Sequence, residues 1–133
     1  MPVSNIHVVQ AIYQAFGRGD VPSILERLHP DVEWEHDTID YEVPWLVPRR
    51  GRAEVAKFFE SLQGVEFHRF EPLAFLEGPG QVLATIRLEI TVRATKKKVV
   101  DLEAHLFTFD SAGQVTRFRH LLDTHQHVMA TQA

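Results

Sequence analysis

Three apolar-rich runs follow one another in the second half of the chain, at 81–94, 98–110 and 114–123. Each is rich in Val, Ile, Leu, Phe and Thr, side chains that suit a pleated, half-buried surface. Turn chemistry separates them, first at 95–97 and then at Asp110-Ser111-Ala112-Gly113. Strands joined by such short turns pair antiparallel, so the spacing predicts a meander. What the chain can do then depends on which side chains this sheet turns to its concave face.

The length of 133 residues suits one domain over 1–133 and can bury a real core. A net charge of -4 and a pI of about 6.0 argue against nucleic acid or an anionic membrane as partner. The absence of cysteine excludes disulfides, thiolate metal sites and a cysteine nucleophile, and is compatible with the cytoplasm, the expected compartment. The start, Met1-Pro2-Val3-Ser4-Asn5, lacks a basic segment followed by an apolar run, so no signal peptide is expected. No run is long and apolar enough to span a bilayer.

Ahead of the meander, Ile6, Val9, Ile12, Tyr13 and Phe16 mark one face of a first helix, capped by Ser4 or Asn5 and ended at Gly17 and Gly19. Asp20 caps a shorter second helix that stops at His29-Pro30. A short strand at 31–36 sets Val32, Trp34 and His36 on one face and Glu33 and Glu35 on the other. The segment 37–50 is irregular yet apolar, with Tyr41, Val43, Trp45, Leu46 and Val47, as expected of a loop that folds over a core or lines an opening. A third helix covers 52–63, with Val55, Phe58, Phe59 and Leu62 as its buried stripe. A strand at 67–76, interrupted by Pro72, reads as an edge or bulged strand. The order predicts an α+β fold: a curved, cone-shaped, mostly antiparallel sheet with three helices on its concave face.

That order, with Gly17-Arg18-Gly19-Asp20, Trp34-Glu35-His36, the pattern Pro48, Gly51, Val55, Phe58-Phe59, and the run from Phe107 to Val115, resembles the nuclear-transport-factor-2-like superfamily. More narrowly it resembles the SnoaL-like polyketide cyclases, with ketosteroid isomerases and limonene-epoxide hydrolases as relatives. The superfamily holds isomerases, cyclases, dehydratases, hydrolases and non-catalytic binders, so the resemblance implies a fold more than a reaction. Against the isomerases, the base falls on His36, the helix tyrosine on Ile12 with Tyr13 beside it, and the protonated acid on His105. All three differ, which argues against steroid-type isomerisation. Against the epoxide hydrolases, the arginine and carboxylate fall on Arg87 and Glu89, the second carboxylate on Asp123, and the water-holding pair on Trp34 and His36.

The residues themselves leave two readings of the meander. Arg87 and Glu89 alternate with the apolar set Val82, Ala84, Ile86, Leu88, Ile90 and Val92. On one reading the charged set is a solvated outer face. On the other it lines a hollow. The next strand favours a hollow, because Glu103 and His105 share a face with Phe107 and Phe109. Leu88, Leu102, Ala104 and Leu106 would then form an outer apolar patch and a homodimer interface. The resulting expectation puts Arg87, Glu89 and Asp123 together in the hollow as catalytic groups, with His36 and His105. Tyr13, Trp34, Trp45, Phe59, Glu103, Phe107 and His120 are expected to bind the ligand. His125 and His127 are expected to be solvated. No pair among the eight histidines has the helical spacing of a zinc motif, so neither metal nor cofactor is expected. The function expected is acid–base catalysis of a hydrolase, isomerase or cyclase type on a small hydrophobic molecule. A non-catalytic binder and a packed-shut structural dimer are the alternatives.

Overall fold

The computed structural model describes residues 4–133 and has the α+β architecture. Helix α1 (Asn5–Gly17) starts where the Ser4 hydroxyl accepts from His7 N and buries Val8, Val9, Ile12 and Ala15. Helix α2 (Val21–Glu26) is capped by Asp20, which accepts from Ser23 N, with Pro22 in its first turn. Strand β1 (Leu28–Trp34) begins earlier than the expected 31. Pro30 is accommodated because the β1 register shifts between Leu28 and Glu33, where no ladder pairing asks for its missing N–H.

The 37–50 segment folds inward as its apolar content suggests, with Val43, Trp45 and Leu46 buried. A two-residue strand β2 (Arg49–Arg50) follows, and Gly51, at φ 85°, turns the chain into helix α3 (Arg52–Ser61). Four long strands complete the sheet: β3 (Val65–Gly78), β4 (Gln81–Val92), β5 (Lys98–Phe109) and β6 (Val115–Leu121). The spatial order is β2-β1-β6-β5-β4-β3, curved and unclosed. All neighbours pair antiparallel except β1 with β6. β3 is the edge strand, and its register shifts between Pro72 and Ala74, as the proline implies. A fourth helix, α4 (Thr124–Thr131), stands where a solvated tail was expected. Among the described residues no helix is long and apolar enough to cross a membrane.

The register of the meander corrects the face assignment. Ala84 lies opposite His105, Ile86 opposite Glu103 and Leu88 opposite Asp101, so the apolar set of β4 shares the inner face with the mixed set of β5. Leu88 is therefore buried under the helices, while Leu102 stands 56% exposed on the outer face. These two leucines cannot form one outer patch. Across β5 and β6, His105 faces His120 and Phe107 faces Phe118. Trp34 pairs with Phe118 across β1 and β6 and stacks on it, ring centroids 4.0 Å apart.

Phe118 carries this junction, so Phe118→Ala is expected to cost roughly 3–5 kcal/mol, as large-to-small core changes do. On the outer face, Arg117 pairs with Glu33 at 3.1 Å with both side chains more than a third exposed. Arg117→Ala should accordingly cost at most about 1 kcal/mol. Urea unfolding curves with an unchanged slope would check both; equal costs would contradict the assignment of faces.

Candidate functional site

Under α1 and α3 the inner face of the sheet encloses a cavity of about 80 Å³. Its apolar walls include Phe16, Phe58, Phe59, Phe70 and Phe118. A second hollow of about 330 Å³ shares Phe16, Phe59, Leu62, Val65 and Phe67 with it. The inner space admits a few waters or the tip of a ligand. A larger molecule needs the outer hollow as well, since small-molecule sites run to roughly 300–1,000 Å³.

Alternation along β5 sends Asp101, Glu103, His105 and Phe107 inward together. His105 Nε2 lies 2.8 Å from Glu103 Oε1, and His105 Nδ1 lies 2.8 Å from the Tyr13 hydroxyl. An ionised carboxylate only accepts, so His105 donates from Nε2 and accepts the Tyr13 proton at Nδ1. Burial holds His105 below its ordinary value of 6.5, against the opposing pull of Glu103. Burial would push Glu103 up, yet the bond and charge of His105, helped by His120 and His127, leave it lowered. Burial, and then the charge of Glu103, keep Tyr13 well above 10.0, so its hydroxyl stays protonated.

A second carboxylate–histidine pair comes from the end of β1. Glu35 has φ 58°, in the left-handed region, which breaks the strand alternation. Its side chain turns inward, is 2% exposed, accepts from His120 N at 3.2 Å and pairs with His120 Nδ1. Burial works against a charge on His120, but the charge and bond of Glu35 outweigh it and raise His120 above 6.5. The rings of His105 and His120 meet edge to face with centroids 4.8 Å apart. Two imidazoles in contact are thus pushed in opposite directions.

Helix α4 adds a third histidine. Its start is tied to β5, where Asp101 Oδ2 accepts from Asp123 N at 3.1 Å, and Gln126 Oε1 accepts from Val100 N at 3.1 Å. His127 is buried and accepts at Nδ1 from Trp45 Nε1 at 3.0 Å. Its Nε2 faces Asp101 Oδ2 at 3.5 Å and Glu103 Oε2 at 3.9 Å.

Among the described residues, two groups bring possible metal ligands within 4.8 Å of one another: Glu103, His105 and His120, and Asp101, Glu103 and His127. The indole of Trp45 can only donate, so His127 Nδ1 has no proton and the neutral ring carries it on Nε2. That nitrogen has no lone pair for an ion, which removes His127 from the second group. In the first group an ion would require His105 to give up the Nε2 proton it shares with Glu103.

The structure gathers many of the expected residues around this cavity. Tyr13, Trp34, Trp45 and Phe59 line it from the helices, β1 and the 37–50 segment. Glu103, His105, Phe107 and His120 line it from the sheet. Arg87, Glu89 and Asp123 do not converge there. Arg87 and Glu89 lie on the outer face, opposite Leu102 and Val100, and Glu89 is 3.6 Å from Arg69. Asp123 is exposed and caps α4, accepting from Gln126 N. His36 also lies outside the cavity lining; its Nδ1 is 3.4 Å from Phe118 O and its Nε2 4.0 Å from Asp37. The left-handed turn at Glu35 reverses the phase that would have carried His36 inward. Glu35, Asp101 and His127 are the additions. For Asp101, membership of the same alternating face as Glu103 was a signal in the sequence; for Glu35 and His127 no local signal exists.

Comparison with known proteins agrees with the fold. The model of the SnoaL-like domain family matches residues 9–118. An NTF2-like protein of unknown function from Burkholderia pseudomallei is 25% identical, with a TM-score of 0.84 over 98% of this chain and 100% of that one. An NTF2-like protein from Burkholderia xenovorans is 26% identical, with a TM-score of 0.83 over 96% and 95%. TerC, co-crystallised with polyporic acid, is 26% identical, with a TM-score of 0.75 over 94% and 98%. No curated protein matches the chain by sequence.

The opposed histidines give stability a pH signature. His105 and His127 are lowered, so below 6.5 the unfolded chain takes protons that the folded one resists, and stability should fall with pH. His120 is raised, so its contribution is present below 6.5 and is lost as pH climbs through the folded value. Melting temperatures from pH 5 to 9 should therefore peak between the two, and His120→Gln should abolish the decline on the alkaline side of 6.5. A decline unchanged in that variant would contradict a raised His120.

Proposed function

The chain belongs to the SnoaL-like domain family, and on that premise we propose that it is an acid–base enzyme that moves a proton on a small, hydrophobic, ring-bearing substrate. The observation that carries this reading is the contact of His105 with His120 at 4.8 Å in an apolar cavity, each held by its own carboxylate and driven the opposite way in basicity. Pairs of titratable groups whose surroundings separate them assign the base and the acid. A binder needs only the apolar walls.

His105 is the base. A substrate proton passes to the Tyr13 oxygen as the Tyr13 proton passes to His105 Nδ1, and Glu103 stabilises the imidazolium that results. His120, protonated and held at Nδ1 by Glu35, is the acid, with its other nitrogen left to donate to an oxygen on which charge develops. This is chemistry of the isomerase, cyclase or dehydratase type. The hydrolase variant, which needs Arg87 and Glu89 at the substrate, loses its support because both lie on the outer face. TerC, with polyporic acid, supports a small organic ligand for this fold. The same reading sets a second copy of the chain against the outer face, where Val100, Leu102 and Leu121 are exposed.

A panel of cyclic enolisable ketones and hydroxyquinones in deuterated water, followed by proton NMR, tests the chemistry. The reading expects the wild-type protein to catalyse deuterium incorporation, and His105→Gln and His120→Gln each to lose about 10²–10⁴ in rate. The rate should rise as pH passes the lowered value of His105 and fall as it passes the raised value of His120. Undiminished exchange in both variants would refute the assignment. Binding without exchange in the wild type would make the chain a ligand binder.

A further inference from the structure

Three buried side-chain atoms around the cavity have no hydrogen-bond partner among the described residues: Trp34 Nε1, Glu103 Oε2 and His127 Nε2. Two of them, Glu103 Oε2 and His127 Nε2, face each other at 3.9 Å. Both residues are at least 95% buried, so water does not freely substitute for either partner. Glu103 spends Oε1 on His105 and holds Oε2 towards His127. His127 in turn is not free to choose its proton position. The Trp45 N–H at 3.0 Å fixes Nδ1 as an acceptor and leaves the Nε2 proton pointing at Glu103 and Asp101.

We infer that His127 is a positioning residue for the catalytic base: Trp45 fixes its tautomer, its Nε2–H dipole attracts Glu103 Oε2 across 3.9 Å, a charge–dipole contact longer than a hydrogen bond, and Glu103 thereby presents Oε1 to His105. The line runs Trp45, His127, Glu103, His105, Tyr13 across four elements. The 37–50 segment supplies its first member and α4 its second. Without an anchor on Oε2, the carboxylate can rotate about its last torsion, and His105 loses the acceptor that keeps its proton on Nε2. His105 Nδ1 would then no longer be the fixed acceptor for Tyr13. Asp101 shares the work, because its Oδ2 lies 3.5 Å from the same Nε2 and adds to the attraction, and it ties down the start of α4 by accepting from Asp123 N. The matched family segment ends at residue 118, so α4 and His127 lie beyond it.

This inference rests on the acid–base reading of His105, but its test does not need a substrate. Imidazole nitrogen shifts of the full, ligand-free chain, labelled with ¹⁵N-histidine, report which ring nitrogen of His105 and of His127 carries the proton. In the wild type both should be single tautomers with the proton on Nε2. His127→Leu should leave His105 as an exchanging mixture of tautomers. His127→Gln, whose amide can accept from Trp45 and donate to Glu103, should restore the single form. An unchanged His105 in His127→Leu would overturn the inference, and so would an equal disturbance in both variants, which would indicate loss of packing. Should His127→Leu fail to fold, Trp45→Phe removes the donor while keeping a ring. His127 should then populate both tautomers and His105 should follow; a His105 indifferent to that change would overturn the proposal. Failure here would leave the deuterium-exchange assignment of His105 and His120 standing, and a panel without exchange would leave these spectra interpretable.

Discussion

Lys96 closes the β4–β5 turn at φ 62°, with Lys96 N bonded to Val92 O at 2.7 Å and Val92 N to Lys97 O at 2.8 Å. This turn fixes which residue of β5 lies opposite which residue of β4. Strand side chains alternate, so a slip of one position would exchange the two faces of a strand completely. The observed register puts Ile86 beside Glu103 and Ala84 beside His105. Had β4 presented its other face, Arg87 and Glu89 would have entered the cavity and its apolar set would have been lost to solvent. The core, the cavity and the composition of the site all depend on that pairing.

The inner face carries an unusual load for a small domain. Glu35, Asp101, Glu103, His105 and His127 are all buried. Isolated buried charges are expensive, and pairing recovers only part of the cost. Here each carboxylate meets an imidazole or a backbone N–H, and the aromatic walls keep the local dielectric low, which strengthens every one of those contacts. Such a network specifies one arrangement of its members. It also separates two neighbouring histidines in basicity, something that neither residue type achieves in water.

The architecture alone assigns no reaction, because this fold carries many. What distinguishes this chain is the set of polar groups on its apolar cavity and the elements that bring them there. The 37–50 segment delivers Trp45, a left-handed residue at the end of β1 delivers Glu35, and α4 delivers His127. Each comes from outside the regular alternation of the meander: Glu35 bonds to His120 of β6, while Trp45 and His127 bond to each other.

The sequence by itself determined the elements and their class, because apolar periodicity, capping residues and turn residues act locally. The edge character of β3 at Pro72, the inward fold of the apolar loop and the shared face of Glu103, His105 and Phe107 were all legible on that basis. The relative phase of β4 and β5 was not, since each strand alternates equally well on its own and only cross-strand pairing couples them. The tertiary structure alone therefore decided that Arg87 and Glu89 face outward. It alone turned Glu35 inward through one left-handed residue, which no flanking pattern announces. It alone converted the C-terminal tail into a docked helix, because Asp101 and Val100 on a distant strand supply the bonds that hold it and bury His127.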